Sequence, residues 1–269
     1  MAEAASDARL GEMTTLFHGA EPVIIAHRGS RLLWPENTMA AFEKAAGYGA
    51  KFIETDLRVS SEGLLHCFHD AYLERTTDGS GPFGSRSARD LQTLDAGYHH
   101  RVGNAFPFRN QGVGIPTFAT VLDAFPEFGF VVDLKNDGVV EPLALMIRRS
   151  DLAHRLIVGS FSTDRLLRLR EICGRELATS TGPAETVKAI IAGRTGATTD
   201  PFGSTTVALQ VPVSWYGVPV VTRQLIEVAH RFGKLVHVWT INEVDEMKRL
   251  FELGVDGIIT DRVDLIPVM

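Results

Sequence analysis

The stretch Ala26–Asp70, AHRGSRLLWPENTMAAFEKAAGYGAKFIETDLRVSSEGLLHCFHD, decides the reading of this chain. A short apolar strand, Val23–Ala26, runs into His27-Arg28-Gly29, and a helix opens after Pro35-Glu36-Asn37-Thr38 with Asn37 as the expected N-cap. Ala40, Ala41, Phe42 and Ala45 give that helix an apolar side, and Gly47 and Gly49 end it. A second strand, Phe52–Arg58, follows, and Gly63–Phe68 forms a further extended piece that ends at His69-Asp70. Glu54 and Asp56 stand two apart in the second strand and therefore share a face. Two carboxylates on one buried face repel each other and lose solvation, so they call for a cation or a proton between them.

Working outward, the same unit recurs. Strands are expected at Gly129–Leu134, Leu156–Ser160, Glu176–Thr179, Thr206–Gln210, Leu235–Thr240 and Asp256–Thr260, separated by helical segments. Eight strands alternating with helices predict an α/β fold, a closed (β/α)8 TIM barrel. The segment from Tyr72 to Ile115 breaks the pattern and is rich in turns, which predicts a small insertion after the second strand, about 72–115, capping the site. The 269 residues are then a single barrel domain, 1–269, a length that barrels of this type commonly reach.

Bulk properties narrow the function. A net charge of −6 argues against nucleic acid as a partner, though a local positive pocket could still take a small phosphate-bearing molecule. The two cysteines, Cys67 and Cys173, lack zinc-ligand spacing and read as reduced small hydrophobes. The first twenty residues show no basic start followed by an apolar core, and no stretch is long enough to span a bilayer, so a cytoplasmic protein without stable membrane insertion is expected. Oligomeric state is not legible.

The candidate chemistry falls at the ends of the expected strands, where barrels carry their active sites. His27 follows the first strand, Glu54 and Asp56 lie late in the second, and His69 follows the extra extended piece. Asp133 and Lys135 end the third, Trp239 the seventh, and Thr260-Asp261 the eighth. Three carboxylates, Glu54, Asp56 and Asp133, offer oxygen alone, which favours Mg²⁺ or Ca²⁺ over zinc. The competing reading is a salt-bridge cluster with Arg28, Arg58 or Lys135. His27 and His69 titrate near neutral pH and could exchange protons with a substrate. Arg28 and Lys135 suit phosphate oxygens, and serve equally as partners for the nearby acids. Trp239 is read as a wall of the site.

These residues carry a resemblance. AHRG (Ala26–Gly29), PENT (Pro35–Thr38), ETD (Glu54–Asp56), HDAYLERTTDGSG (His69–Gly81), IPTF (Ile115–Phe118), VDLK (Val132–Lys135), WTIN (Trp239–Asn242) and GVDGIITD (Gly254–Asp261) follow one another as in the glycerophosphodiester phosphodiesterase family, which the chain resembles from about Val23 to Ile266. The resemblance implies a barrel hydrolase that cleaves a glycerophosphodiester to glycerol 3-phosphate and an alcohol. It implies a divalent cation, Mg²⁺ or Ca²⁺, on Glu54, Asp56 and the third acid, and acid and base roles for His27 and His69. It further implies Arg28 and Lys135 at the phosphate, Glu36 supporting them from behind, and the glycerol 2-hydroxyl as nucleophile. One position departs: the third acid is usually Glu, and Asp133 is one methylene shorter. A lysophospholipid substrate, cleaved as by a phospholipase D, is an alternative suggested by Phe83, Phe106, Phe108, Trp215 and Tyr216. A phosphoester-binding module without catalysis is another, and it would predict a missing histidine or acid.

Overall fold

The computed structural model describes residues 22–150 and 152–268, so the polar N-terminal segment and His18 lie outside the described residues. Eight parallel strands close on themselves. They are β1 (Val23–His27), β2 (Phe52–Val59), β4 (Gly129–Leu134), β5 (Leu156–Gly159), β6 (Ala178–Ser180), β7 (Thr206–Pro212), β10 (Leu235–Trp239) and β11 (Gly257–Thr260). The ring closes where β1 pairs β11 on one side and β2 on the other, with His27 opposite Glu54 and Ala26 opposite Thr260. The short β3 (Leu65–Cys67) adds antiparallel to the outer end of β2.

Helices α1 (Met39–Gly47), α2 (Ala88–Gln92), α3 (Phe118–Ala124), α4 (Val140–Arg149), α5 (Thr163–Cys173), α6 (Pro183–Thr195), α7 (Arg223–Arg231) and α8 (Val244–Leu253) are distributed between the strands. The two-residue repeat of each strand divides its side chains between two cores. Val23, Ile25, Phe52, Val131, Ile157, Val207, Leu235 and Ile259 fill the barrel interior. Ile53, Leu57, Val132, Leu134 and Val158, on the other faces, pack under the surrounding helices, as do Leu209, Val236, Val238 and Ile258 further round. His27, Glu54, Asp56 and Asp133 continue the inward series past the last apolar layer. Parity alone therefore lifts them to the C-terminal mouth.

Two glycines are required by close approach. Gly29 has φ +77°, and a Cβ there would lie 2.7 Å from Ala41 Cβ, so the turn after β1 could not settle on α1 with a larger residue. At Gly257 a Cβ would come within 2.8 Å of the His237 ring inside the barrel.

Several expectations are refined. Thr38, not Asn37, caps α1: its hydroxyl accepts from the Ala41 amide at 3.2 Å. Asn37 adopts φ +57°, a conformation asparagine tolerates, and its side chain is used elsewhere. The run after β7 is more regular than its composition suggests. A two-stranded hairpin, β8 (Ser214–Trp215) with β9 (Val218–Pro219), turns at Tyr216-Gly217, both in the left-handed region. Proline at both ends and tyrosine in the turn hid that hairpin. The insertion packs on its own small core of Phe68, Leu73, Phe83, Leu91, Ala96 and Ile115. No described helix is long and apolar enough to cross a membrane.

One half-buried ion pair ties the β5–β7 side together. Arg170 of α5 donates from both Nη atoms to Glu185 of α6, each at 2.9 Å, and also bonds Thr179 and Thr206. Burial pushes the Glu185 carboxyl up, but Arg170 and the Gly182 and Gly203 amides outweigh it and hold it below its usual range. A lowered carboxyl pKa stabilises the fold at pH values above the unfolded group's range, and that contribution is lost as pH falls through the folded value. Arg170→Ala is expected to destabilise by about 2 kcal/mol at pH 7, because it strands a half-buried carboxylate. Urea unfolding at pH 7 and again below the carboxylate range measures this, and a gap that persists at the acid pH would refute the pairing as its cause.

Candidate active site

The mouth of the barrel opens into a cavity of about 650 Å³ lined by His27, Arg28, Glu54, Asp56, His69, Asp133, Lys135 and Trp239 among others. The structure thus brings together both histidines, the three acids, Arg28, Lys135 and Trp239, while Glu36 stands one contact behind and Thr260 and Asp261 do not line the cavity. None of residues 72–115 lines this cavity. The insertion flanks the site without capping it, and its Arg75, Thr76, Ala96, His99, His100 and Arg101 instead border a smaller neighbouring cavity of about 280 Å³.

Each candidate imidazole is held by a carboxylate at Nδ1. His27 Nδ1 is 2.6 Å from Asp261 Oδ1, and its Nε2 lies 3.9 Å from Glu54 Oε2. His69 Nδ1 is 2.5 Å from Asp70 Oδ1. Such a partner fixes the ring's orientation and leaves Nε2 for the chemistry. Asp261 is itself anchored: the Asn242 carbonyl accepts from its amide at 2.9 Å, and Arg31 Nε donates to both its oxygens. Burial pushes the Asp261 carboxyl up, yet His27, Arg31 and Asn242 prevail and keep it low. Burial pushes the His69 imidazole down from its ordinary value, against the pull of Asp56 and Asp70.

The carboxylates form an unequal group. Asp56 meets the Lys135 ammonium at 2.8 Å, Arg28 Nε at 3.0 Å and the Asn37 amide at 2.8 Å, and these cations overcome burial to hold its carboxyl far below the usual range. Glu54 accepts the Arg28 backbone amide at 3.0 Å, but burial and the neighbouring Asp56 push its carboxyl up to about 7. Asp133 lies beside Asp56 across the β2–β4 ladder; burial raises its carboxyl although Lys135 Nζ stands 2.5 Å from Oδ2. Arg28 also donates to Glu36 at 2.9 Å, and its backbone turns sharply at φ +49°.

Both readings of the acidic group are therefore partly realised. Lys135 bridges Asp56 and Asp133, and among the described residues no three His, Cys, Asp or Glu side chains stand as a ready metal-binding group. The donor chemistry nonetheless fits a hard cation. Asp133 Oδ1 is buried without a hydrogen-bond partner, and Glu54 and Asp56 crowd two carboxylates on one buried strand face, where hard oxygen donors suit such an ion.

Three contributors were missed or left without a role in the sequence reading. Asn37 accepts from Thr55 Oγ1 at 2.8 Å while donating to Asp56, so it aligns one acid from the turn before α1. Its φ tolerance and its place in PENT were the available signals. Arg75 of the insertion donates to both oxygens of Glu36, at 2.8 and 2.6 Å, and forks onto Asp70 as well. A continuous chain, Arg28–Glu36–Arg75–Asp70–His69, thus joins the two sides of the site. Asp261 was visible as a strand-end acid, but nothing local tied it to His27.

Comparison with known proteins gives the same direction. The model of the glycerophosphoryl diester phosphodiesterase family matches residues 27–265. A Mycobacterium tuberculosis protein named "Probable glycerophosphodiester phosphodiesterase 2" is 32% identical over 271 residues, covering 97% of this chain and 95% of its own. A Bacillus subtilis glycerophosphodiester phosphodiesterase is 28% identical over 262 residues, with 90% and 84% covered. The crystal structure of glycerophosphodiester phosphodiesterase from Agrobacterium tumefaciens superposes with a TM-score of 0.73 at 25% identity, covering 92% of this chain and 100% of that one. An Oleispira antarctica phosphodiesterase, solved in complex with the product sn-glycerol-3-phosphate, shares the fold at a TM-score of 0.72 and 24% identity, with 92% and 96% covered. With the family model spanning the barrel from its first histidine to its last turn, the chain belongs to the glycerophosphoryl diester phosphodiesterase family.

Proposed function

We propose that this site hydrolyses glycerophosphodiesters to glycerol 3-phosphate and an alcohol with a divalent cation and two histidines. The observation that carries the reading is the pairing of two carboxylate-held imidazoles with a buried acidic and basic cluster in one cavity. The Oleispira antarctica enzyme's complex with sn-glycerol-3-phosphate supports the product assignment.

Glu54, Asp56 and Asp133 would hold the cation, which when bound supplies positive charge at the phosphoryl oxygens. Arg28 and Lys135 orient the phosphate and neutralise charge as it builds. One imidazole takes the proton of the glycerol 2-hydroxyl as its oxygen bonds phosphorus. The other gives a proton to the departing alcohol as the phosphorus–oxygen bond breaks. Water then opens the cyclic phosphate, with the two imidazoles exchanging roles. Asp261 and Asp70 keep Nε2 of each ring directed at the phosphorus, and Trp239 walls the substrate against Phe161, whose ring centroid is 5.8 Å away. A panel of metals against glycerophosphodiesters, with glycerol 3-phosphate as the assayed product, tests the reading. Absence of that product with every cation would refute it.

Arg75 should matter without touching substrate. Arg75→Ala releases Asp70 and Glu36 together and is expected to lower kcat about tenfold or more through His69. The freed Asp70 would act more strongly on the His69 ring, so the limb of the pH–rate profile due to that imidazole should move to higher pH. An unmoved profile would reduce Arg75 to a structural tie.

A further inference from the structure

The smaller cavity, of about 280 Å³, lies beside the first and shares Arg31 with it. Two parts of the chain distant in sequence build its wall. The β1–α1 turn supplies Arg31 and Glu36, and the insertion supplies Arg75, His99, His100 and Arg101. Three guanidinium groups therefore face one small space, and among the described residues Glu36 is the one carboxylate in its lining.

That carboxylate is already committed. Arg28 donates to its Oε1 at 2.9 Å, and Arg75 donates to both oxygens, at 2.8 and 2.6 Å. The acids that steady the other guanidinium groups stand outside the lining. Asp261 holds Arg31 through Nε, at 3.1 and 3.2 Å, and Asp70 holds Arg75 from the His69 side. Arg101 donates to the neutral Gly103 carbonyl at 2.5 Å and Asn104 at 2.6 Å, and among the described residues it has no ion pair. Like charges gathered round one opening repel each other, and an anion between them removes that cost. His100 adds an unsatisfied group to the same wall. Its ring bonds the Leu33 carbonyl, and Nε2 is buried without a hydrogen-bond partner.

We propose that this cavity is a second anion site, which takes a terminal phosphate group borne on the alcohol of the substrate or arriving as the free ion. Three guanidinium forks offer more N–H donors than the two oxygens of a carboxylate can accept, whereas a phosphate presents three terminal oxygens. The volume falls below the roughly 300–1,000 Å³ of sites for drug-sized ligands and suits one small anion. Because Arg31 lines both cavities, a group in the second stands one side chain away from the first, and a diester whose alcohol carries a phosphate can span the two. The insertion thus turns a basic face toward the site. The aromatics that the sequence offered there are taken up elsewhere: Phe83 is buried in the insertion core, and the Arg109 guanidinium covers Phe106 at 3.9 Å. The substrate-borne source rests on the phosphodiesterase reading above, and the anion site itself does not.

The test compares the full chain with its Arg101→Glu variant, whose altered residue is exposed and takes no part in the proton transfers above. Calorimetric titration with inorganic phosphate, Mg²⁺ present, should show one more equivalent bound by the parent, the second-site affinity of the variant falling about tenfold or more. Turnover separates the two sources. Glycerophosphoglycerol is compared with the same ester phosphorylated on its terminal hydroxyl. A kcat/KM higher by about tenfold or more for the phosphorylated ester, carried by KM and lost in the variant, assigns the site to the substrate. Equal values beside the extra equivalent in the titration assign it to the free ion. Plain glycerophosphoglycerol should be turned over alike by both proteins. Identical titrations together with equal kcat/KM for the two esters overturn the proposal, as does an equal loss on both esters in the variant. If neither ester is turned over with any cation, the phosphodiesterase reading falls, and the titration alone decides the site.

Discussion

His69→Ala is expected to lower kcat by about 10²–10⁴-fold, and His27→Ala by a similar amount, the range for a positioned acid or base. Neither ring carries the fold. The His69 side chain is about a third exposed, and Asp70 keeps Arg75 as partner without it. Without His27, Asp261 still holds Arg31 and Asn242. The melting temperature should therefore move little while turnover collapses, and the double variant should be barely worse than either single, since the two rings serve one proton circuit. Near-normal turnover in either single variant, measured by glycerol 3-phosphate release, would remove that ring from the mechanism. Asp261→Asn separates orientation from proton transfer. It leaves the imidazole in place but unsettles its tautomer, so the loss should fall in kcat with KM largely kept.

Treatment with a chelator is expected to abolish turnover, and Mg²⁺ or Ca²⁺ to restore it. Glu54→Gln should lose about 10²-fold or more in activity and resist rescue by either ion. The companion expectation concerns stability. Burial and Asp56 raise the Glu54 carboxyl, which means that its charge is costly in the folded protein. A neutral glutamine of the same shape removes that cost, so the variant, measured with the chelator present, should melt no lower than the parent protein. Asp56 is the opposite case: Arg28, Lys135 and Asn37 all depend on it, and Asp56→Asn should destabilise as well as inactivate. Full activity in chelator would refute the cation, and a large fall in melting temperature for Glu54→Gln would refute the charge argument.

The inward placement of the site was readable because strand parity is a local property. Phe52, Glu54 and Asp56 alternate with Ile53, Thr55 and Leu57, and the outward Ile53 and Leu57 are apolar enough that only one register buries them. His27 and Asp133 follow by the same rule from β1 and β4. The hairpin after β7 was not readable, because its strands are two residues long, one of them ends in Pro219, and its Tyr-Gly turn lacks the usual asparagine. Asn37 was misassigned as a cap because its neighbour Thr38 is equally able to accept an amide, and nothing local shows that Asp56 competes for the asparagine.

What the sequence by itself determined is thus the barrel, the identity of the inward-facing acids and histidines, and their delivery to one mouth; each depends on periodicities of two and of 3.6 residues that act within a few turns of chain. What only the tertiary structure decided is which groups meet. Asp261 reaches His27 across 234 positions of chain because ring closure sets β11 beside β1. Arg75 joins Glu36 to Asp70 because the insertion folds back along the β1–α1 turn. One side of the larger cavity is apolar because α6 and the hairpin, neither distinctive in sequence, lean over the same opening. Hydrogen bonds and cavities are set by distances in space, and distance along the chain carries no record of them until the barrel closes.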